Sequence, residues 1–247
     1  MTFLELCQRT LVASGTGNRD SIPSLTNLGQ HEQNVVDYVV LSWQLIQKRH
    51  EGWSWRERDF KASLRTGVDM YAWSELYETP AGSDSPQRSI PQIIGWHNWL
   101  NRPPGNVDGP LWVLRNAPGQ PATYTSLLST TYEAMRIRRL TFDTPGKPTF
   151  MAIDPERRLL VHPIPDAEYV LHGRHYTGVE ILSDANQQPR GISDDYHEAI
   201  VWRAVMMVHA DDDAGATYQF AQMNYDELLD SMERIYLPPV RFGGALA

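Results

Sequence analysis

Histidine and aspartate crowd together at His209-Ala210-Asp211-Asp212-Asp213, and His197 lies three helical turns earlier on roughly the same side. Imidazole with carboxylates is a donor set for a hard or borderline metal ion. An acidic run at a helix end is, however, ordinarily a solvated turn. A second group, His162, His172 and His175, falls on neighbouring extended segments. Strand alternation puts His172 and His175 on opposite faces, which argues against one shared site. Gly146-Lys147-Pro148 has the Gly-Lys of a phosphate loop, but Pro148 stands where Ser or Thr is required and the leading Gly is missing. The nucleophile-elbow, zinc-protease and dinucleotide glycine motifs are absent too. With 30 acidic residues and no selecting feature, no catalytic carboxylate pair can be nominated. The single cysteine, Cys7, excludes Cys-based zinc and a disulfide framework. No catalytic residue, no cofactor and no metal ligand is therefore assigned, and the chain does not read as an enzyme.

The elements around these residues are clearer than their chemistry. Thr2-x-x-Glu5 is a capping box ahead of a Leu4, Cys7, Leu11 stripe, so a first helix spans Thr2 to Ser14. A second runs from His31 to Arg49, with Val35, Val36, Val39, Val40, Trp43 and Ile46 on one face. Alternation at Phe60, Ala62 and Leu64 predicts a strand, and Leu111–Arg115 another. Ile90–Leu100 is ambiguous between strand and short helix. Thr125–Arg136 has helical character, with Leu128, Tyr132 and Met135 on one face. Three extended segments follow, Thr149–Ile153, Leu159–Ile164 and Glu168–Tyr176, separated by Pro- and Asp-bearing turns. They suggest a small antiparallel meander.

The C-terminal third then turns helical. Ser193 is a good N-cap, and Asp194 and Asp195 suit the positive end of the dipole. Val201, Ala204, Val205 and Val208 form one stripe, with Gly215 as a plausible C-cap. Tyr218, Ala221, Tyr225, Leu228, Met232 and Ile235 form a second, ending at Pro238-Pro239. The expected fold class is α+β: an antiparallel helical bundle drawn from both chain ends, with an inserted, turn-rich β-meander region. Its parts are N-terminal helices over 1–52, a β-rich insertion with a short helix over 53–192, a helix pair over 193–237 and an extended arm over 238–247. Val240, Arg241, Phe242 and Leu246 make that arm apolar enough to order on a partner.

A formal net charge of −8 argues against a general nucleic-acid clamp, which needs clustered Lys and Arg. No apolar run reaches the ~18 residues of a membrane span, and the N-terminus lacks the basic start of a signal peptide. A soluble protein, retained in the cell that makes it until lysis, is expected. Seven of the eight tryptophans fall between Trp43 and Trp112. Core packing is the ordinary reading; a subunit interface or a sugar-stacking platform are the others.

Gly146-Lys147-Pro148, Phe150-Met151-Ala152-Ile153, Leu159-Leu160, Pro163-Ile164-Pro165-Asp166-Ala167, Tyr169, Gly173 and Tyr176 occur in an order that resembles the head-to-tail adaptors of tailed bacteriophages, also called head–tail connectors or tail tubular protein A. Ile200-Val201-Trp202-Arg203-Ala204, the opening Thr2–Arg9 and the Trp43–Trp55 stretch extend the resemblance to both ends. Tyr77–Thr123 has no named counterpart, and Gln187–Ile192 is less acidic than the pattern. The resemblance implies a structural virion protein at the capsid–tail junction, made in the host cytoplasm. It would form a homo-oligomeric ring, twelvefold in such adaptors, that docks under the portal protein, retains the genome and carries the next tail or neck protein. Double-stranded DNA would pass non-specifically through its channel, and no membrane is involved. The C-terminal arm (Val240, Arg241, Phe242, Leu246) would reach the portal, and Trp73, Trp96, Trp99 and Trp112 would face a neighbouring subunit or the tail. Another neck component, a stopper or tail terminator, is the near alternative. A carbohydrate-binding protein or hydrolase using the Trp-rich region is the distant one.

Overall fold

The computed structural model describes residues 1–50, 52–72, 75, 77–78, 88–89, 93–94, 113–116, 124–142, 144–210 and 215–237. It is a mixed α+β protein, with five α-helices and two sheets among the described residues. Two compact units divide the chain: Met1–Trp55 with Val179–Ala247, and Arg56–Gly178.

The first unit contains α1 (Phe3–Ser14), α2 (Gln30–Arg49), α4 (His197–Val208) and α5 (Ala216–Tyr236). Between its two sequence segments lies the second unit, which contributes α3, below. The expected capping box forms: Thr2 Oγ1 accepts from Glu5 N and the Glu5 carboxylate accepts from Thr2 N. Loop carbonyls take the next free donors of that helix end, Phe3 N donating to Gln187 O (2.7 Å) and Leu4 N to Ala185 O (3.1 Å). Gly15 closes α1 at φ 69°, the left-handed conformation glycine adopts at no steric cost. Leu6, Leu11, Val35, Val39, Val201 and Val205 are wholly buried in one shared core. Each such side chain contributes about 1.5–3 kcal/mol by leaving water.

α4 and α5 run antiparallel, because Tyr196 just before α4 meets Ser231 late in α5, while Trp202 meets Phe220 early in it. Two details depart from the sequence reading. Gly215 has extended backbone (φ −66°, ψ 144°) and is the N-cap of α5, whereas α4 ends at Val208 with His209 as its cap. In α5 the inward stripe passes through Leu229 and Met232, leaving Ile235 60% exposed; Tyr236 instead packs edge-on to Trp55. A strict 3-4-3-4-3 spacing drifts round a helix of 3.6 residues per turn.

The second unit is layered. Its larger sheet pairs β4 (Arg88–Ser89), β3 (Tyr77–Glu78), β1 (Glu57–Leu64), β11 (Tyr169–Thr177), β6 (Val113–Asn116) and β7 (Tyr124–Ser126) in that order, with β5 (Ile93–Ile94) also on β11. The smaller sheet runs β2 (Met70–Tyr71), β10 (Leu159–His162), β9 (Phe150–Ile153), β8 (Leu128–Ser129). Phe60, Leu114 and Leu171 from one sheet share a core with Met151, Leu159 and Val161 from the other. The alternate residues Ala152 and Leu160 point the opposite way, onto Met135 of α3 (Tyr132–Thr141). Coverage on both faces explains why β10 is buried at every position.

The three extended segments do not form the expected meander. β9 and β10 are an antiparallel hairpin, but β11 leaves them and pairs with β1 from Glu57↔Tyr176 to Leu64↔Tyr169. Nine residues of β11 find eight partners on β1; four-residue β10 is already flanked by β2 and β9. The helix expected from Thr125 begins only at Tyr132, with Thr131 as its N-cap, and Leu128 lies on β8, parallel to β9.

Candidate functional site

The residues nominated for metal chemistry are separated by the fold. His197 opens α4 and His209 caps its other end, about 18 Å apart at 1.5 Å per residue. His197 is 1% exposed, with Nδ1 2.7 Å from the Met1 amino nitrogen and 3.3 Å from Asp194 Oδ1. Burial, with the Met1 amine beside it, holds its pKa below the usual 6.5. His209 Nε2 lies 3.1 Å from the carbonyl of Ser14. Asp211, Asp212 and Asp213 lie outside the described residues. His162 belongs to the smaller sheet, His172 and His175 to the larger one. Among the described residues no group of three His, Cys, Asp or Glu side chains is gathered as a metal site would require.

Inside the helical unit the polar groups serve construction. Glu180 accepts from Trp43 Nε1 (3.1 Å), Arg190 N (2.9 Å) and Gln187 Nε2 (3.1 Å). Gln47 brackets its backbone, donating to Glu180 O and accepting from Glu180 N. This carboxylate ties the loop before α4 onto α2. Trp43, Trp53 and Trp55 are buried, Trp53 stacking on Trp55 at 4.1 Å. These three rings are core and offer no sugar platform.

Two features of the surface remain. In the second unit a groove of about 390 Å³ runs beside α3, floored by Leu160 and Ile164 and edged by Arg136, Leu140 and Phe142. Its one lining carboxylate among the described residues, Asp69, is ion-paired to Arg139. A groove of this volume is large enough for a small ligand, but among the described residues its lining holds no Ser, Thr, Cys or Lys. Leu140 is 82% exposed, and Ile137 and Phe142 are also exposed. In the helical unit Phe220 and Met223 are exposed on α5, with the Trp202 ring edge-on to Phe220 at 5.5 Å. Glu227 and Asp230 continue the same stripe at helical spacing.

The nominated interface tryptophans Trp73, Trp96, Trp99 and Trp112, and the arm residues Val240, Arg241, Phe242 and Leu246, lie outside the described residues. No curated protein matches the sequence. A family model does: that of the SU10 adaptor protein matches residues 1–242. The chain belongs to the SU10 adaptor protein family. That membership is consistent with the phage head-to-tail adaptor resemblance carried by Gly146–Tyr176, and it extends across Tyr77–Thr123, where that resemblance had no counterpart.

For an SU10 adaptor family member the informative features are surfaces, and sequence reading passed over both of them. α3 was read for its buried face alone; the signal missed was apolar Ile137, Leu140 and Phe142 interleaved with Arg136, Arg138 and Arg139. Aromatic and Arg side chains are enriched where protein surfaces meet. Likewise the inward stripe of α5 drew attention from Phe220 and Met223 on its outer side. No helix among the described residues is long and apolar enough to cross a membrane.

Proposed function

We propose that this protein is a structural head-to-tail adaptor of a tailed-phage virion. Copies assemble as a ring, twelvefold as in similar adaptors, under the portal. The ring prolongs the DNA channel, retains the packaged genome and presents a platform to the next tail protein. The observation that carries this reading is the family match across residues 1–242.

Charge distribution supports it. Met1–Trp55 with Val179–Ala247 holds 17 acidic against 8 basic residues, whereas Arg56–Gly178 holds 13 against 14. A ring lined by the acidic unit repels phosphate and lets DNA slide; a basic lining would hold it. Val240–Ala247 is the segment we assign to the portal, with Phe242 as its apolar anchor. Trp73, Trp96, Trp99 and Trp112 are assigned to a neighbouring subunit or the tail.

Native mass spectrometry of the protein with its portal ring, beside a chain ending at Leu237, tests the assignment. A discrete ring-sized mass gain that the truncated chain loses is expected. A gain that survives truncation removes the arm from the reading and keeps the adaptor. A protein that stays monomeric with portal present overturns the ring.

A further inference from the structure

The groove beside α3 and the outer stripe of α5 are complementary, and we infer that they are the two halves of one contact, the groove of one copy receiving the α5 stripe of the next. This rests on the ring reading above and names the surfaces that would close it.

The shapes and chemistry match in kind. The α5 stripe carries two adjacent apolar knobs, Phe220 and Met223, followed by carboxylates at Glu227 and Asp230. The groove offers an apolar floor, Leu160 and Ile164, with Leu140 and Phe142 on its rim and Arg136 beside them. Knobs seated on the floor bring the α5 carboxylates toward Arg136, where opposite charges fix register more than they add affinity. Arg139 and Glu233 are paired within their own chain, which leaves exposed Arg136, only 3.9 Å from Glu133 of its own helix, to face exposed Glu227 and Asp230.

Each half is exposed on its own chain, with Leu140 at 82%, Phe142 at 62%, Met223 at 60% and Phe220 at 53%. Apolar residues exposed on neighbouring turns of a helix suit a surface that assembly covers. The two halves differ from each other, so the contact is heterologous: each copy offers both a groove and a stripe. Such a contact is of the kind that builds a ring where its rotation closes, whereas a self-complementary patch would stop at a dimer. A second copy of this chain is therefore the occupant that fits. Arg139, which also lines the groove, is already paired to Asp69 of its own chain.

Site-directed cross-linking of the full chain tests this. The native thiol does not interfere, since Cys7 is wholly buried and burial pushes it up to about 12. Chains carrying Leu140→Cys and chains carrying Met223→Cys are mixed, assembled with portal rings and treated with a short bismaleimide. The expected product is a cross-linked pair joining 140 of one copy to 223 of another, absent from either variant alone. Separately, Leu140→Asp, at a position exposed enough to leave folding intact by circular dichroism, is expected to weaken ring assembly about tenfold or more. Rings of full mass from Leu140→Asp, with no 140–223 product, overturn the contact while leaving the ring reading standing. Cross-linking of position 140 to the portal instead overturns self-docking and assigns the groove to that partner. A wild-type chain that stays monomeric with portal removes the ring and this contact together.

Discussion

Gly191 lies so close to Trp55 that a Cβ built on it would stand 2.5 Å from Trp55 Cβ and 3.1 Å from the Trp55 carbonyl oxygen. The backbone there is also left-handed, at φ +86°. Two independent costs therefore meet at one position. Gly15 has only one of them, a φ of +69° with nothing within 4 Å of its would-be Cβ. Gly15→Ala is expected to lose about 1 kcal/mol, the conformational cost alone. Gly191→Ala should lose about 2–4 kcal/mol, because the Trp stack cannot give way freely. Urea unfolding of the two variants makes the comparison; equal losses would mean that Trp55 does not press on Gly191.

The Glu180 carboxylate carries the same loop from its polar side. Glu180→Ala would leave Trp43 Nε1 and Arg190 N without their acceptor. Arg190 N is open to water while Trp43 Nε1 is partly buried; a buried donor left unsatisfied costs about 1–3 kcal/mol, so a loss of about 1–3 kcal/mol is expected. Glu180→Gln retains an acceptor oxygen and should lose less. Thermal unfolding of both variants decides whether hydrogen bonding, and not charge alone, is what Glu180 supplies.

How much of this could be read from residues follows from the range of each interaction. The start of α1 was legible because a capping box is complete within four residues. The alternation of Phe60, Ala62 and Leu64 was legible for the same reason: inward positions on β1 repeat locally, and all three are buried. The partner of β11 was not, since Leu64↔Tyr169 joins residues more than a hundred positions apart. Gly215 shows a subtler limit. Glycine suits either end of a helix, and the extended backbone that makes it the start of α5 is set by the fold. The groove escaped notice because its rim comes from α3 and its floor from β10 and the segment after it. Family membership was legible in the order of short motifs, none of which is itself a site.

Three groups of the helical unit bear on its acid response, His197 in one window and Glu233 with Glu5 in a lower one. His197 has a folded pKa below 6.5, chiefly through burial, with the Met1 amine lowering it further and Asp194 opposing. Unfolding frees it to bind a proton, so its contribution is fully present above pH 6.5 and declines as pH falls below that value. Glu233 is held below 4.5 by hydrogen bonds from His50 and then Arg49. Its contribution is present above 4.5 and is lost only as pH falls through the lower folded value. Stability should therefore fall in two stages on acidification. Unfolding midpoints from pH 7.5 to 3.5 are expected to lose the first stage in His197→Gln and to show a smaller second stage in Glu233→Gln, where Glu5 still acts. A single stage unaffected by His197→Gln would remove that histidine from the account.

Trp53 offers a test of what the first tryptophan cluster does. It is wholly buried, its Nε1 donates to the Ile46 carbonyl at 2.9 Å, its ring stacks on Trp55 at 4.1 Å and the His50 ring meets it edge-on at 5.0 Å. If it is core, truncation should cost what a lost core aromatic costs, about 3–5 kcal/mol for Trp53→Ala. Trp53→Phe keeps an aromatic face for the stack while losing the hydrogen bond and part of the volume, so a loss of about 1–3 kcal/mol is expected. A surface ring would behave otherwise, with both substitutions falling within about 0.5 kcal/mol of the parent. Chemical denaturation of the two variants separates these outcomes. A small loss for Trp53→Ala would reopen this cluster as a binding surface.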